Sequence, residues 1–441
     1  MDKLFIIKVS AVAALGGLLF GFDTAIISGT IPYITDYFGL NEYTLGWAVS
    51  SILIGCAIGA ACAGRLSDLY GRRFILIVCA LLFAASGIGA GLSHQLTWFV
   101  ICRLIGGLGV GAAAMVSPMY IAEIAPPAIR GRLVAFYQLA IVTGILLAYY
   151  SNYLFDGMGE NNWRWMFVSQ AVPSILFFVL LLLVPETPRW LVKKGKRKEA
   201  LDVMVRTSGQ ENAQKELVAI EDSFTNSSVG SLKEVFSKNY RAVVFIGILI
   251  AVFQQITGIN SILYYAPEIF RQTGLDSSSS LLQTIIIGAV NVVSTFIAIG
   301  LVDKLGRKKF LLIGSIVMGV SLTGVGLCFH YQYFDNYIVL IFVLLYVASF
   351  GCTLGAVTWV YLSEIFPNRI RGIALSVATL TLWIADFVVT YTFPVMTKHL
   401  GTSYTLFSYA ALCGIAFVYM LVKVKETRGR SLEEIETLFI K

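Results

Sequence analysis

Apolar runs of about twenty residues recur a dozen times between Leu4 and Val422, and no other feature limits the fold so tightly. A hydrocarbon layer about 30 Å thick is crossed by roughly 20 helical residues, so each run is long enough to span a bilayer. Backbone groups in lipid must be satisfied within one helix or around a closed barrel. The alternating ten-residue segments of a barrel are absent, and the runs are too uniformly apolar for one. The chain therefore reads as all-α and integral to a membrane. Its spans lie near residues 5–30, 44–66, 74–92, 97–121, 131–154, 164–185, 241–267, 280–302, 310–330, 337–363, 372–396 and 403–422.

A net charge of +7 invites the idea of a nucleic-acid partner, but the basic residues sit in short loops between spans, where they set orientation. Of 33 Lys and Arg, only Arg164, Arg271 and Lys398 follow odd-numbered spans, and Arg103 lies inside the fourth. The remainder share one side, which the positive-inside rule makes cytoplasmic, together with both termini. The first run is too long for a cleaved leader; it carries Asp23 and lacks a small-residue cleavage site. All seven Cys fall in apolar runs, so neither disulfides nor a metal site is expected.

The one long polar segment, 186–240, holds LVKKGKRKEALDVMVR, which predicts a basic amphipathic helix, and SSVGSLKEVF, which predicts a second short one. It separates a half at 1–185 from a half at 241–423, with a cytoplasmic tail at 424–441. The halves repeat. Asp68-x-x-Gly71-Arg72-Arg73 recurs as Asp303-x-x-Gly306-Arg307-Lys308, Glu123 with Arg130 recurs as Glu364 with Arg371, and Glu186-Thr187 recurs as Glu426-Thr427. Three matches at nearly one offset predict two pseudo-symmetric six-helix halves, an arrangement that places a solute site between them and exposes it alternately to each side. Arg65, Asp68, Arg72, Glu123, Arg130, Asp303, Arg307, Glu364 and Arg371 are then candidate ion-pair latches that hold one access state, beside the simpler reading of positive-inside anchoring.

Besides these blocks, the chain carries Pro185-Glu186-Thr187-Pro188-Arg189-Trp190-Leu191, Gln254-Gln255-Ile-Thr-Gly-Ile-Asn260, Glu364-Ile-Phe-Pro-Asn-Arg-Ile-Arg371-Gly372 and Glu426-Thr427-Arg428-Gly429-Arg430. In this order and over nearly the whole length, they resemble the sugar porter family of the major facilitator superfamily, closest to its bacterial proton-coupled xylose and hexose symporters. The resemblance implies the major facilitator fold, a monosaccharide (pentose or hexose) as substrate and no cofactor. It also implies gating roles for Glu186, Arg189 and Glu426; short external loops without an Asn-x-Ser/Thr acceptor favour a bacterial inner membrane, and action as a monomer is expected.

A sugar presents hydroxyls that donate and accept, so its site needs neutral amides and an aromatic face. Gln254, Gln255 and Asn260 stand within two turns of span seven and are expected to share a face; interhelical hydrogen bonding is the alternative. The resemblance assigns sugar contacts to these three and to Gln138, Asn291, Trp359 and Trp383, with Phe20, Tyr264 and Tyr265 as further wall or gate residues. Against the xylose type, Ile145 and Leu382 replace glutamines and Ala356 replaces a proline, which leaves the identity of the sugar open.

Asp23 inside span one is costly in lipid unless paired or protonated, and Arg103 in span four is the expected partner. A carboxylate beside a fixed cation can alternate between a charged pair and a neutral acid, so protonation can bias one conformation; a static ion pair is the alternative. Gln170 stands where the xylose type has a glutamate, and Asp386 where the family commonly has asparagine. Asp386 could accept from sugar, bind a second proton or pair with a helix end. A passive uniporter and a transporter-like sensor are the other functions considered. An enzyme is disfavoured, since no nucleophile–base pair or phosphate-cradling loop is visible.

Overall fold

The computed structural model describes residues 2–126, 129–225, 231–334, 337–367, 369–430 and 432–439, and among these there is no strand. Among the described residues, twelve helical spans are long and apolar enough to cross a membrane. They are Lys3–Phe38, Glu42–Tyr70, Arg72–Gly91, Leu96–Ile124, Arg130–Phe155, Asn162–Leu182, Arg241–Arg271, Ser277–Leu301, Arg307–His330, Ile338–Ile365, Arg371–His399 and Thr402–Lys423, numbered one to twelve below. The chain is a multi-pass membrane protein. Several spans are interrupted: span one after Ala25, span six at Gln170, and span seven between Ile256 and Ile259. Span ten carries a π-turn at Gly351–Gly355.

One compact unit comprises residues 1–24, 55–148 and 164–228. Its helices approach closely where glycine removes the side chain. A Cβ on Gly144 would collide with the Leu18 carbonyl, and one on Gly111 with the Cys56 carbonyl, so spans five and one, and four and two, touch backbone to backbone. Three polar helices follow span six, at Pro188–Lys193, Arg197–Ser208 and Gln210–Thr225. The single basic helix expected here is thus broken in two, because Gly195 takes φ 74°. The third polar helix was not anticipated; it buries Ala213 and Leu217. The Arg206 guanidinium lies 3.6 Å over the Phe5 ring, tying this segment to the start of span one.

The other unit comprises residues 25–54, 149–163 and 229–441. Within it, the second part of span one, the start of span two and the end of span five pack on spans seven, eight and eleven. Tyr149 donates to Leu263 O at 2.9 Å, Tyr33 and Ser277 both donate to Asp156 Oδ1, at 2.5 and 3.0 Å, and Glu42 meets His399 Nε2 at 3.3 Å. The short helix Leu232–Val235 is tied to the segment just before span eleven by Glu234 and Arg369, 2.7 Å apart.

The repeated sequence blocks become repeated helix starts. Gly71 and Gly306, at φ 107° and 90°, precede spans three and nine. Glu186 accepts from the backbone N–H of Arg72, Arg73 and Thr187 at 2.8–3.2 Å. Glu426 accepts in the same way from Arg307, Lys308, Thr427 and Arg428 at 2.9–3.1 Å. Each carboxylate caps otherwise unpaired amides at the positive end of a helix dipole, and only glycine leaves room for it. Burial pushes the Glu186 carboxyl up, opposed by these backbone N–H groups and by the Arg72 charge. Glu186→Ala and Glu426→Ala are each expected to lose ~1–2 kcal/mol of stability, read as a lower melting temperature of the purified protein.

Candidate functional site

In the first unit, Asp23 and Arg103 are fully buried (0% exposed). Arg103 Nη1 donates to Asp23 Oδ1 at 2.7 Å and to the Asp23 carbonyl at 2.9 Å. The carbonyl is available because span one breaks two residues later, after Ala25. The guanidinium also lies 5.7 Å from the centre of the Phe167 ring. Gly106 leaves space for Asp23 Oδ2, where even a Cβ would intrude. Gln170, at the break in span six, approaches the carboxyl and donates to Phe83 O at 3.2 Å. A neutral amide thus stands beside Asp23, which is the one acid of this buried group among the described residues.

Gln138 and Phe20 are half-buried in the same unit. The charged blocks close local pairs there. Arg72 reaches Asp68 at 2.8 Å and Glu123 at 3.1 Å, and Arg130 Nε donates to Ala125 O at 3.3 Å. Arg65 and Arg189 are exposed. In the second unit, Arg307 pairs with Glu364 at 2.8 Å, Thr427 Oγ1 donates to Glu364 Oε2 at 2.6 Å, and Arg371 Nε donates to Phe366 O at 3.1 Å. The Asp303 side chain lies outside the described residues.

The second unit also holds a chain of amides, with Gln254 and Gln255 buried and Asn260 half-buried. Gln254 Nε2 donates to Leu354 O at 3.3 Å, and Gln255 Nε2 reaches Gln254 Oε1 at 3.5 Å. Asn260 Nδ2 donates to Gln255 Oε1 at 3.0 Å and to Asp386 Oδ2 at 2.7 Å, while Thr390 Oγ1 donates to Asp386 Oδ1 at 3.1 Å. The three amides do not share one continuous helix face, as the spacing suggested. Gly258, at φ 93° against the Tyr409 ring, breaks span seven, and the break turns Asn260 back toward Gln255. The carbonyl that Gln254 engages belongs to the π-turn of span ten, whose Gly351 faces the Asn291 side chain. Trp383 and Tyr264 are buried, Trp383 three residues before Asp386, whereas Trp359 is 39% exposed. Thr390 was missed by sequence reasoning; the Asp386-x-x-x-Thr390 spacing, one helical turn, was the available signal.

The chain matches the family described as "Sugar (and other) transporter" over residues 9–439. It belongs to the sugar porter family of the major facilitator superfamily. This is a family of transporters, not of enzymes. The chain is 42% identical to the arabinose-proton symporter of Bacillus subtilis, an alignment covering 99% of this chain and 96% of that protein. It is 40% identical to the D-xylose-proton symporter of Escherichia coli K12, with the same coverage. The inward-open conformation of the xylose transporter XylE from Escherichia coli superposes with a TM-score of 0.89 at 40% identity, covering 98% of this chain and all of that one. The sugar porter family thus accounts for the twelve spans, the repeated helix starts and the polar segment between spans six and seven.

Proposed function

We propose that this chain imports a monosaccharide, pentose or hexose, together with a proton by alternating access. The observation that carries the reading is a division of chemistry between the two units: one buries a carboxylate on a fixed cation, and the other holds a run of neutral amides. The first can carry a proton and the second can read hydroxyls. Its relatives are named as arabinose-proton and xylose-proton symporters, which agrees with both parts. Gln254, Gln255, Asn260 and Asn291 hold the sugar with Gln138, and Trp359 and Trp383 give it an aromatic face. Asp23 and Arg103 carry the proton. Two six-helix halves, 1–185 and 241–423, move against each other, with both termini in the cytoplasm of a bacterial cell and the protein acting as a monomer in the inner membrane.

The test is uptake of labelled xylose, arabinose, glucose and galactose into vesicles, with an inward proton gradient and again after its collapse by a protonophore. Accumulation that vanishes on collapse supports symport and names the sugar. Equilibration without accumulation would make the chain a uniporter, and no uptake would end the sugar reading. Gln255→Ala is expected to weaken sugar binding by about 1–3 kcal/mol through loss of a buried hydrogen bond, measured by equilibrium binding.

A further inference from the structure

The Asp386 carboxyl has no task in the proposal above, yet it is the most unusual group in the amide cluster. It is 1% exposed, on span eleven, and its described partners are two neutral donors, Asn260 Nδ2 at 2.7 Å on Oδ2 and Thr390 Oγ1 at 3.1 Å on Oδ1. No Lys, Arg or His among the described ion pairs reaches it. The charged residues of its own helix that bracket it, Arg371 and Lys398, lie fifteen and twelve positions away. By helical rise this is about 22 and 18 Å.

Several of the titratable groups on the elements packed around this stretch are phenols. From span seven Tyr265 donates to Thr390 O at 3.4 Å, with Tyr264 buried beside it. From span ten Tyr346 donates to Thr257 O, and Tyr361 to Lys425 O. From span twelve Tyr409 stacks on Phe393, and Tyr419 packs against Phe253 of span seven. Glu42 of span two pairs with His399, beyond Lys398, and Glu268 of span seven pairs with Arg271 at that helix's end. Asp386 therefore differs in kind from Asp23, which has a guanidinium 2.7 Å away.

We propose that Asp386 is a second proton-binding site, set within the sugar pocket, at which proton uptake and sugar binding favour each other. The inference rests on the sugar reading of Gln255 and Asn260. An ionised carboxylate without a cation is costly at this depth, and a bound sugar that shuts the site further to water raises that cost. A proton from hydronium on one carboxyl oxygen removes the charge and creates an O–H donor. The other oxygen still accepts, so the acid can donate to a sugar hydroxyl without losing both of its present bonds. Release of sugar and return of water let the proton leave as hydronium. Asn260 supplies the connection, because its Nδ2 bridges Asp386 Oδ2 and Gln255 Oε1, and a change at either oxygen is felt at the other. By linkage, sugar then binds more tightly as pH falls.

The experiment measures the Kd for arabinose, xylose and glucose by intrinsic tryptophan fluorescence across pH, using purified full-length protein. Four forms are compared: wild type, Asp23→Asn, and Asp23→Asn combined with Asp386→Asn or with Asp386→Glu. With Asp23 neutralised, the Kd should still rise with pH, approaching about tenfold per pH unit above the titration of Asp386. Adding Asp386→Asn should flatten that slope, and Asp386→Glu, which keeps a titrating group, should restore it. A Kd that is independent of pH in Asp23→Asn would overturn the inference. So would an unchanged slope in the Asp386→Asn form with a uniform shift in Kd, since that is what a structural hydrogen-bond acceptor alone produces. If wild type binds none of the three sugars at any pH, the sugar reading falls and takes this inference with it. Binding by wild type with a flat Asp23→Asn profile removes only the second proton site.

Discussion

Asp23→Asn is expected to abolish uphill accumulation of sugar while sparing exchange of labelled for unlabelled sugar across the same membrane. The carboxyl is fully buried and bonded to Arg103 Nη1 at 2.7 Å, so it has two inexpensive states, an ion pair and a neutral acid released from the cation. A transporter that binds a proton in one of these states and loses it in the other can spend a proton gradient on a change of conformation. Asparagine keeps an oxygen to accept from Arg103 but cannot gain or lose a proton, so only the coupling is removed. Exchange needs the loaded protein to reorient, not the proton to be released. The measurement is tracer counterflow beside gradient-driven uptake in the same vesicles. Uptake should fall to the equilibrium level with counterflow intact, whereas retained accumulation would take Asp23 out of the coupling role.

The fold was legible because lipid leaves a chain few choices, and twelve apolar runs in a row meet almost all of the constraint. The interruptions were not legible, for a related reason. A glycine such as Gly258 inside an apolar run is ordinary in a membrane helix, and nothing in its neighbours distinguishes a tolerated glycine from one at φ 93°. The amides of span seven were therefore found as residue types, but their arrangement was misjudged, since Asn260 meets Gln255 through a break and not along a face. The repeat of Glu186 as Glu426 was visible as letters. Its physical content, a carboxylate capping the start of an earlier span through three or four backbone N–H groups, depends on geometry that side-chain identities do not carry. The polar segment misled for the opposite reason. Gln210–Thr225 is rich in charge, and its few apolar residues suffice for one buried stripe only once the rest of the unit is there to receive them.

Arg103→Leu is expected to cost about 3–5 kcal/mol of stability, more than any other single change considered, because it leaves Asp23 buried without its cation. The effect is asymmetric. Asparagine at position 23 still accepts from the guanidinium, whereas leucine at position 103 takes away the donor to both Asp23 Oδ1 and the Asp23 carbonyl. That carbonyl lies close to the end of the first helical segment of span one, where the helix cannot replace the bond. The double variant Asp23→Asn/Arg103→Leu removes the uncompensated charge and should recover part of the loss, since a buried amide left without its donor costs less than a buried charge left without its cation. Thermal melts of the purified wild type, both single variants and the double variant form the cycle that measures the coupling. A large positive recovery assigns the energy to the pair. Additive losses would show instead that Arg103 acts by packing on Phe167, 5.7 Å from its ring centre, and that the bond between spans one and four contributes little to holding them together.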